Sequence, residues 1–68
     1  MIYCLKHRED LALFVSDLLA TFDLDFASIT ITKAEPSEGY YARCAIDTSS
    51  EDTVKNWVQT YYGLPLIT

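Results

Sequence analysis

Few side chains in this sequence are of types that catalyse reactions or bind metals. The chain has one histidine, His7, and two cysteines, Cys4 and Cys44, which are far apart in the sequence. No CxxC pair and no second histidine provide the spacing of a zinc site. His7 lies between Lys6 and Arg8, where a lone histidine is more typical of a surface than of a general base. We therefore predict a protein that is not an enzyme, binds no metal or cofactor, and keeps both cysteines reduced and buried.

The charge of the chain restricts its partners. Ten acidic residues against five basic ones give a formal net charge of -5 and a pI near 4.4. This balance disfavours a surface that follows nucleic-acid phosphates and favours a partner protein with a basic surface. No apolar run reaches the length of about 20 residues needed to span a membrane, and the start "MIYCLKHRED" lacks the pattern of a signal peptide. The sequence therefore predicts a soluble, cytoplasmic protein.

Two segments have the apolar spacing of helices. The first lies within residues 7–23, where one face carries Leu11, Phe14, Val15, Leu18 and Phe22. The second follows "DTSSED", where Thr48 or Ser49 is predicted to cap the helix and an acid three residues later to complete a capping box. Its apolar face carries Val54, Trp57, Val58 and Tyr61, and Gly63 is predicted to end it.

Three segments alternate or cluster apolar residues as strands do. These are "IYCLK" at 2–6, "ASITITK" at 27–33 and the strand within "GYYARCAID" at 39–47, while Pro65 confines the tail "LPLIT" to an edge strand or an irregular end. The order β, α, β, β, α and a short β predicts a single α+β domain over 1–68 with the ferredoxin-like split βαβ fold. Its strand order would be 4-1-3-2. The alternative is a three-stranded α+β sheet with an unpaired C-terminus.

The doublet Tyr40-Tyr41 indicates which side chains lie on each face of the sheet. Adjacent strand residues point to opposite faces, so Tyr40 is predicted to face the core while Tyr41 and Arg43 lie on the face that the helices leave uncovered. Alternation does not decide which face of the first strand is buried. We expect Tyr3 and Leu5 on the open face, because a free cysteine at the intervening position prefers burial.

An open sheet face with aromatic residues resembles the RNA-recognition motif, and "GYYARCAI" is similar to the consensus of that motif's third strand over eight residues. The resemblance implies that Tyr41 stacks on the bases of a single strand. Glu38 stands where the motif has a basic residue, and the net charge is negative, so we keep this function as an alternative.

Five acids are predicted to meet at one end of the sheet. The first helix and the third strand both end there, which gathers Asp23, Asp25, Asp47, Glu51 and Asp52. Helix capping explains the last two and a solvated loop the first two, whereas a contact with a basic protein surface explains the whole group. The spacing of an EF-hand calcium loop is absent.

These observations predict a small acidic protein-binding module that occupies a basic surface of a larger protein. In size and charge the chain is similar to small inhibitors and adaptors of phages and mobile elements, including anti-CRISPR proteins. The predicted contact residues are Tyr3, Leu5, Tyr41 and Arg43 on the open face together with the five acids. The alternatives are an RNA-recognition-like binder of single-stranded nucleic acid and a homodimeric structural subunit whose open sheet face is the interface.

Overall fold

The computed structural model describes residues 1–67 as one sheet with two helices. The elements are β1 (Ile2–Leu5), α1 (Arg8–Thr21), β2 (Ile29–Lys33), β3 (Ala42–Ile46) and α2 (Glu51–Tyr61), with short 3-10 turns at Phe26–Ser28 and Pro36–Glu38. The sheet is antiparallel with the strand order β1-β3-β2. The predicted α+β class and the order of the first five elements are confirmed.

The C-terminal tail forms a single bridge in place of a fourth strand. Leu66 pairs with Tyr3 in antiparallel fashion, and the N–H of Ile67 donates to the carbonyl of Ile2 at 2.9 Å. This register sets Pro65 opposite Cys4, and a proline has no N–H to continue the ladder. Pairing therefore ends after one bridge. Thr68, the last residue of the predicted edge segment, lies outside the described residues.

Both helices pack on the same face of the sheet. α1 contributes Phe14 and Leu18 to the core, and α2 contributes Val54 and Val58, all at the helical spacing seen in the sequence. The sheet contributes the residues of β1 and β3 that point toward the helices: Tyr3, Leu5, Ala42, Cys44 and Ile46. The core therefore lies over β1 and β3, and β2 is at its margin.

The predicted orientation of β1 is wrong. Tyr3 is 2% exposed and Leu5 is 1% exposed, whereas Ile2 and Cys4 are half-buried on the open face. Tyr3 also meets Phe14 edge to face, with ring centroids 6.0 Å apart. A tyrosine and a leucine bury more apolar area than an isoleucine and a cysteine, so the larger pair decides the orientation of the strand.

The predicted orientation of the tyrosine doublet is also wrong, because a β-bulge interrupts the alternation. The N–H of Tyr41 donates to the carbonyl of Leu5 at 2.9 Å, although the register partner of Leu5 is Ala42. Two successive residues thus oppose one, and their side chains share a side. Ala42 is buried under the helices, and Tyr41 lies beside α1. Tyr40 instead lies toward the open face, next to Cys4.

The ends of α2 differ from the prediction in two respects. Ser50 occupies the N-cap without a side-chain bond to the helix, and Thr48 uses its hydroxyl to accept the N–H of Ser50 at 3.2 Å, so the predicted capping box does not form. Gly63 has a φ of 62° and donates to Val58 at 2.9 Å, which confirms it as the stop. Tyr61, predicted on the apolar face, is 72% exposed. Tyr62 takes its place against Phe14, at 5.1 Å between centroids.

Candidate interaction surfaces

The structure brings the loop acids together at one end of the sheet, as the topology predicts. The N–H of Asp47 donates to the carbonyl of Ser28 at 2.8 Å, and the N–H of Ser28 donates to the carbonyl of Asp25 at 2.9 Å. These bonds hold the loop before β2 against the end of β3. Asp23, Asp25 and Asp47 are exposed there. We call these three carboxylates the acidic end.

The acids of α2 have a local structural role. Glu51 and Asp52 occupy the first turn of the helix, where carboxylates interact favourably with the helix dipole. Glu51 also forms a salt bridge with Lys55 one turn later, at 3.3 Å. Helix stabilisation therefore accounts for these two residues, and within residues 1–67 no salt bridge involves a member of the acidic end.

An exposed aromatic residue stands within the acidic end. Phe26 follows Asp25 directly, begins the 3-10 turn at Phe26–Ser28, and is 82% exposed. A phenylalanine in that position leaves a large apolar area in water. Sequence reasoning missed Phe26 because it belongs to neither periodic segment. Its position in a loop directly after two acids, Asp23 and Asp25, was the available signal.

The open face of the sheet is less aromatic than predicted. Its half-buried members include Ile2, Cys4 and Arg43, and Arg43 forms a salt bridge with Glu38 at 3.5 Å. Burial, followed by the neighbouring Cys4 thiol, raises the pKa of Tyr40 at the margin of this face. Of the four open-face contact residues that the sequence predicts, the structure places only Arg43 there.

The titratable side chains of residues 1–67 do not form a metal-binding cluster. No group of three or more His, Cys, Asp or Glu residues is placed to hold a metal ion. Burial raises the pKa of the Cys44 thiol to about 11, so this group is protonated at neutral pH and unsuited to act as a nucleophile. Cys4 borders a cavity of about 700 Å³ beside β1, which Leu5, His7 and Leu64 also line.

Residues 1–67 contain no helix that is both long enough and apolar enough to cross a membrane. No family model matches the chain, and comparison with curated proteins and with solved structures finds none that is similar to it.

Proposed function

We propose that this chain is a small acidic protein-binding module that occupies a basic surface of a larger protein. The observation that carries the proposal is Phe26, which is 82% exposed and lies directly after Asp25 in the loop that backbone hydrogen bonds hold against Asp47. An apolar side chain that enters a pocket, with charged groups around it, is a common arrangement of binding hot spots. The carboxylates would steer the encounter with a basic partner, and Phe26 would slow dissociation.

The biological role that we propose is that of an inhibitor or adaptor of the phage or mobile-element type, which includes anti-CRISPR proteins. The size of the chain, its net charge of -5 and an exposed apolar side chain on a compact domain support this role. Such a protein acts by covering a functional surface of its target and needs no catalytic group.

We further propose that the fold is a reduced version of the ferredoxin-like arrangement. The order β1-β3-β2 and the antiparallel bridge of Leu66 to the outer side of β1 support a 4-1-3-2 order. The fourth strand is then shortened to one residue pair by Pro65.

The geometry of the sheet does not support the alternative function of nucleic-acid binding. It required Tyr41 and Tyr3 on the open face, but Tyr3 belongs to the core and Tyr41 lies beside α1. The negative charge also opposes binding to phosphates. We therefore do not pursue this alternative.

The proposal is tested by capture with a matched pair of variants. Wild-type chain, Phe26→Ser and Leu13→Ser are immobilised and exposed to lysate of the cells that express the chain. Leu13 is a suitable control because it is also exposed, at 58%, but lies on α1 away from the acidic end. We expect a protein that the wild type and the Leu13→Ser control retain and that Phe26→Ser loses.

Kinetics with the purified partner then test the role of charge. Asp47→Lys should lower the association rate and reduce its dependence on salt, whereas Phe26→Ser should mainly raise the dissociation rate. If every captured protein binds Phe26→Ser as it binds the wild type, the acidic end is not the binding surface and the proposal fails.

A further inference from the structure

β2 is the last strand in the order β1-β3-β2, so the backbone groups along its outer edge pair with no other strand of the sheet. The N–H of Asp47 donates to Ser28, and the N–H of Ala34 donates to Tyr41, so the even-numbered residues 28–34 direct their backbone groups toward β3. The intervening residues of an antiparallel strand point the other way. The N–H groups of Ile31 and Lys33 and the carbonyl groups of Ile29, Ile31 and Lys33 therefore face outward along a free edge, whereas the N–H of Ile29 donates to the carbonyl of Phe26.

A shallow apolar groove runs beside this edge. It lies between β2 and α1 and has a volume of about 490 Å³. Its apolar lining comes from Leu11, Val15 and Leu19 of α1, with Ile31 and Tyr41 from the sheet side. Ile31 points to the helix-covered side, like its register partner Cys44, yet it is 48% exposed. The groove thus combines unpaired backbone groups with apolar side chains.

The outer edge of β2 also lacks most of the features that prevent an edge strand from pairing with a strand of another chain. β2 contains no proline, its residues are Ile, Thr, Ile, Thr and Lys, and the bulge of this sheet lies on β3. Lys33 at its end is the one charged residue in the strand. An edge of this kind is a template for another strand.

Charge is distributed unequally along this flank. Arg8, which lines the groove, and Lys33 lie at the end where β2 finishes and α1 begins. Asp23 and Asp25 lie at the other end, between the end of α1 and the start of β2. Glu9, Asp10 and Glu35 also lie at the end of Arg8 and Lys33, so that end is nearly balanced in charge, whereas the segment 22–28 at the other end contains two acids and no basic residue. A second copy that pairs in antiparallel orientation sets its Arg8 and Lys33 against Asp23 and Asp25 of the first. The flank is therefore complementary to itself under two-fold rotation.

We propose that two copies of the chain pair through β2 in antiparallel orientation and form a continuous six-stranded sheet. The two-fold axis passes beside Ile31, which pairs with the second copy's Ile31, and Thr30 pairs with the second copy's Thr32. The grooves of the two copies meet across the axis and cover both isoleucines. This interface differs from the open sheet face and does not include Phe26, but it shares Asp23 and Asp25 with the acidic end. It goes beyond the proposed function and does not depend on it.

Sedimentation velocity of the full chain over a concentration series tests the proposal. We expect a reversible dimer that Ile31→Lys weakens at least about tenfold, because the lysine is buried against its symmetry mate. Leu13→Lys is the matched control, since it makes the same exchange at another exposed apolar position, and it should leave the dimer unchanged. Circular dichroism checks that both variants retain the fold.

Hydrogen exchange locates the interface by residue. In the dimer, the outward amides of Ile31 and Lys33 should become protected as concentration rises, whereas the amide of Tyr61 should not change. A mixture of Lys33→Glu with Asp25→Lys should form heterodimers more readily than either variant forms homodimers. A chain that stays monomeric at about 1 mM, or a dimer that Ile31→Lys leaves intact, overturns the proposal.

Discussion

The two outer strands of the sheet pair with the same central strand but are buried very differently. β1 alternates between half-buried and buried residues, whereas every residue of β2 except Ile29 is exposed. Both helices pack over β1 and β3, so the strand at the far edge receives less cover. Alternation in a strand thus reports which side faces the helices, and the position of the helices decides how deeply that side is buried.

The largest expected difference between the two strands is in the cost of truncating an apolar residue. Leu5→Ala on β1 should lower the free energy of unfolding by about 2–5 kcal/mol, because it leaves a cavity in the core. Ile31→Ala on β2 should cost less than about 1 kcal/mol, since nearly half of the side chain is already in water.

Urea unfolding of both variants, monitored at concentrations where the chain is monomeric, measures these two values. Equal losses would contradict the described difference in burial.

The second prediction concerns the pH dependence of the strand that β1 and β2 share. Burial raises the pKa of Cys44 from its ordinary value of 9.0 to about 11, so the folded state holds the thiol proton more tightly than the unfolded state. Stability from this group is complete below pH 9 and declines as the pH rises toward 11. At about 1.4 kcal/mol per unit of pKa shift, the full loss is of the order of 2–3 kcal/mol.

The measurement is urea unfolding between pH 8 and 9.5 in a reducing buffer, below the ordinary tyrosine pKa of 10.0 from which the raised pKa values of Tyr3, Tyr40 and Tyr62 begin to contribute. Cys44→Ala is the control, and its free energy of unfolding should vary less with pH over this interval. A slope that survives in Cys44→Ala would assign the effect to another group.

The smallest expected effect is at the outer side of β1. Pro65→Val restores an N–H opposite the carbonyl of Cys4, which adds a hydrogen bond worth about 1 kcal/mol. The same change increases the conformational entropy of the unfolded chain, which lowers the free energy of unfolding by about 0.4–1 kcal/mol. The net stability should therefore change little.

Hydrogen exchange is the informative measurement for this variant. The new amide at position 65 should be protected, which would extend the bridge at Leu66 toward a true edge strand. An amide that exchanges at the rate of an unstructured peptide would show that proline is not what limits the pairing.

The helices were predicted correctly because the apolar periodicity of each one is formed by several side chains. The face that includes Phe14 and Leu18 recurs over about three turns, so no single residue decides it. The orientation of β1 depended instead on the burial preference of one residue, Cys4, and larger neighbours prevailed. The Tyr40-Tyr41 orientation failed because a bulge inserts one residue, and a bulge at a strand end leaves no periodic trace in the sequence.

The candidate site was predicted in part. The meeting of Asp25 and Asp47 follows from topology alone, since it requires only the order of the elements. The anchor at Phe26 and the groove beside β2 depend on how far each side chain projects past its neighbours, which residue spacing does not encode.

The aromatic side chains packed between the two helices bear on how the protein is best observed. Trp57, the sole tryptophan of the chain, has its ring centroid 6.4 Å from that of Phe14 on α1 and 5.3 Å from that of Phe22, which directly follows α1. It also lies 5.4 Å from Tyr62, which directly follows α2. Its fluorescence therefore reports the separation of the helices. Rings this close also couple their electronic transitions, which adds an aromatic band to the far-ultraviolet dichroism. Helix content read from that spectrum alone will be distorted, whereas loss of the coupled band will mark the moment when the helices part.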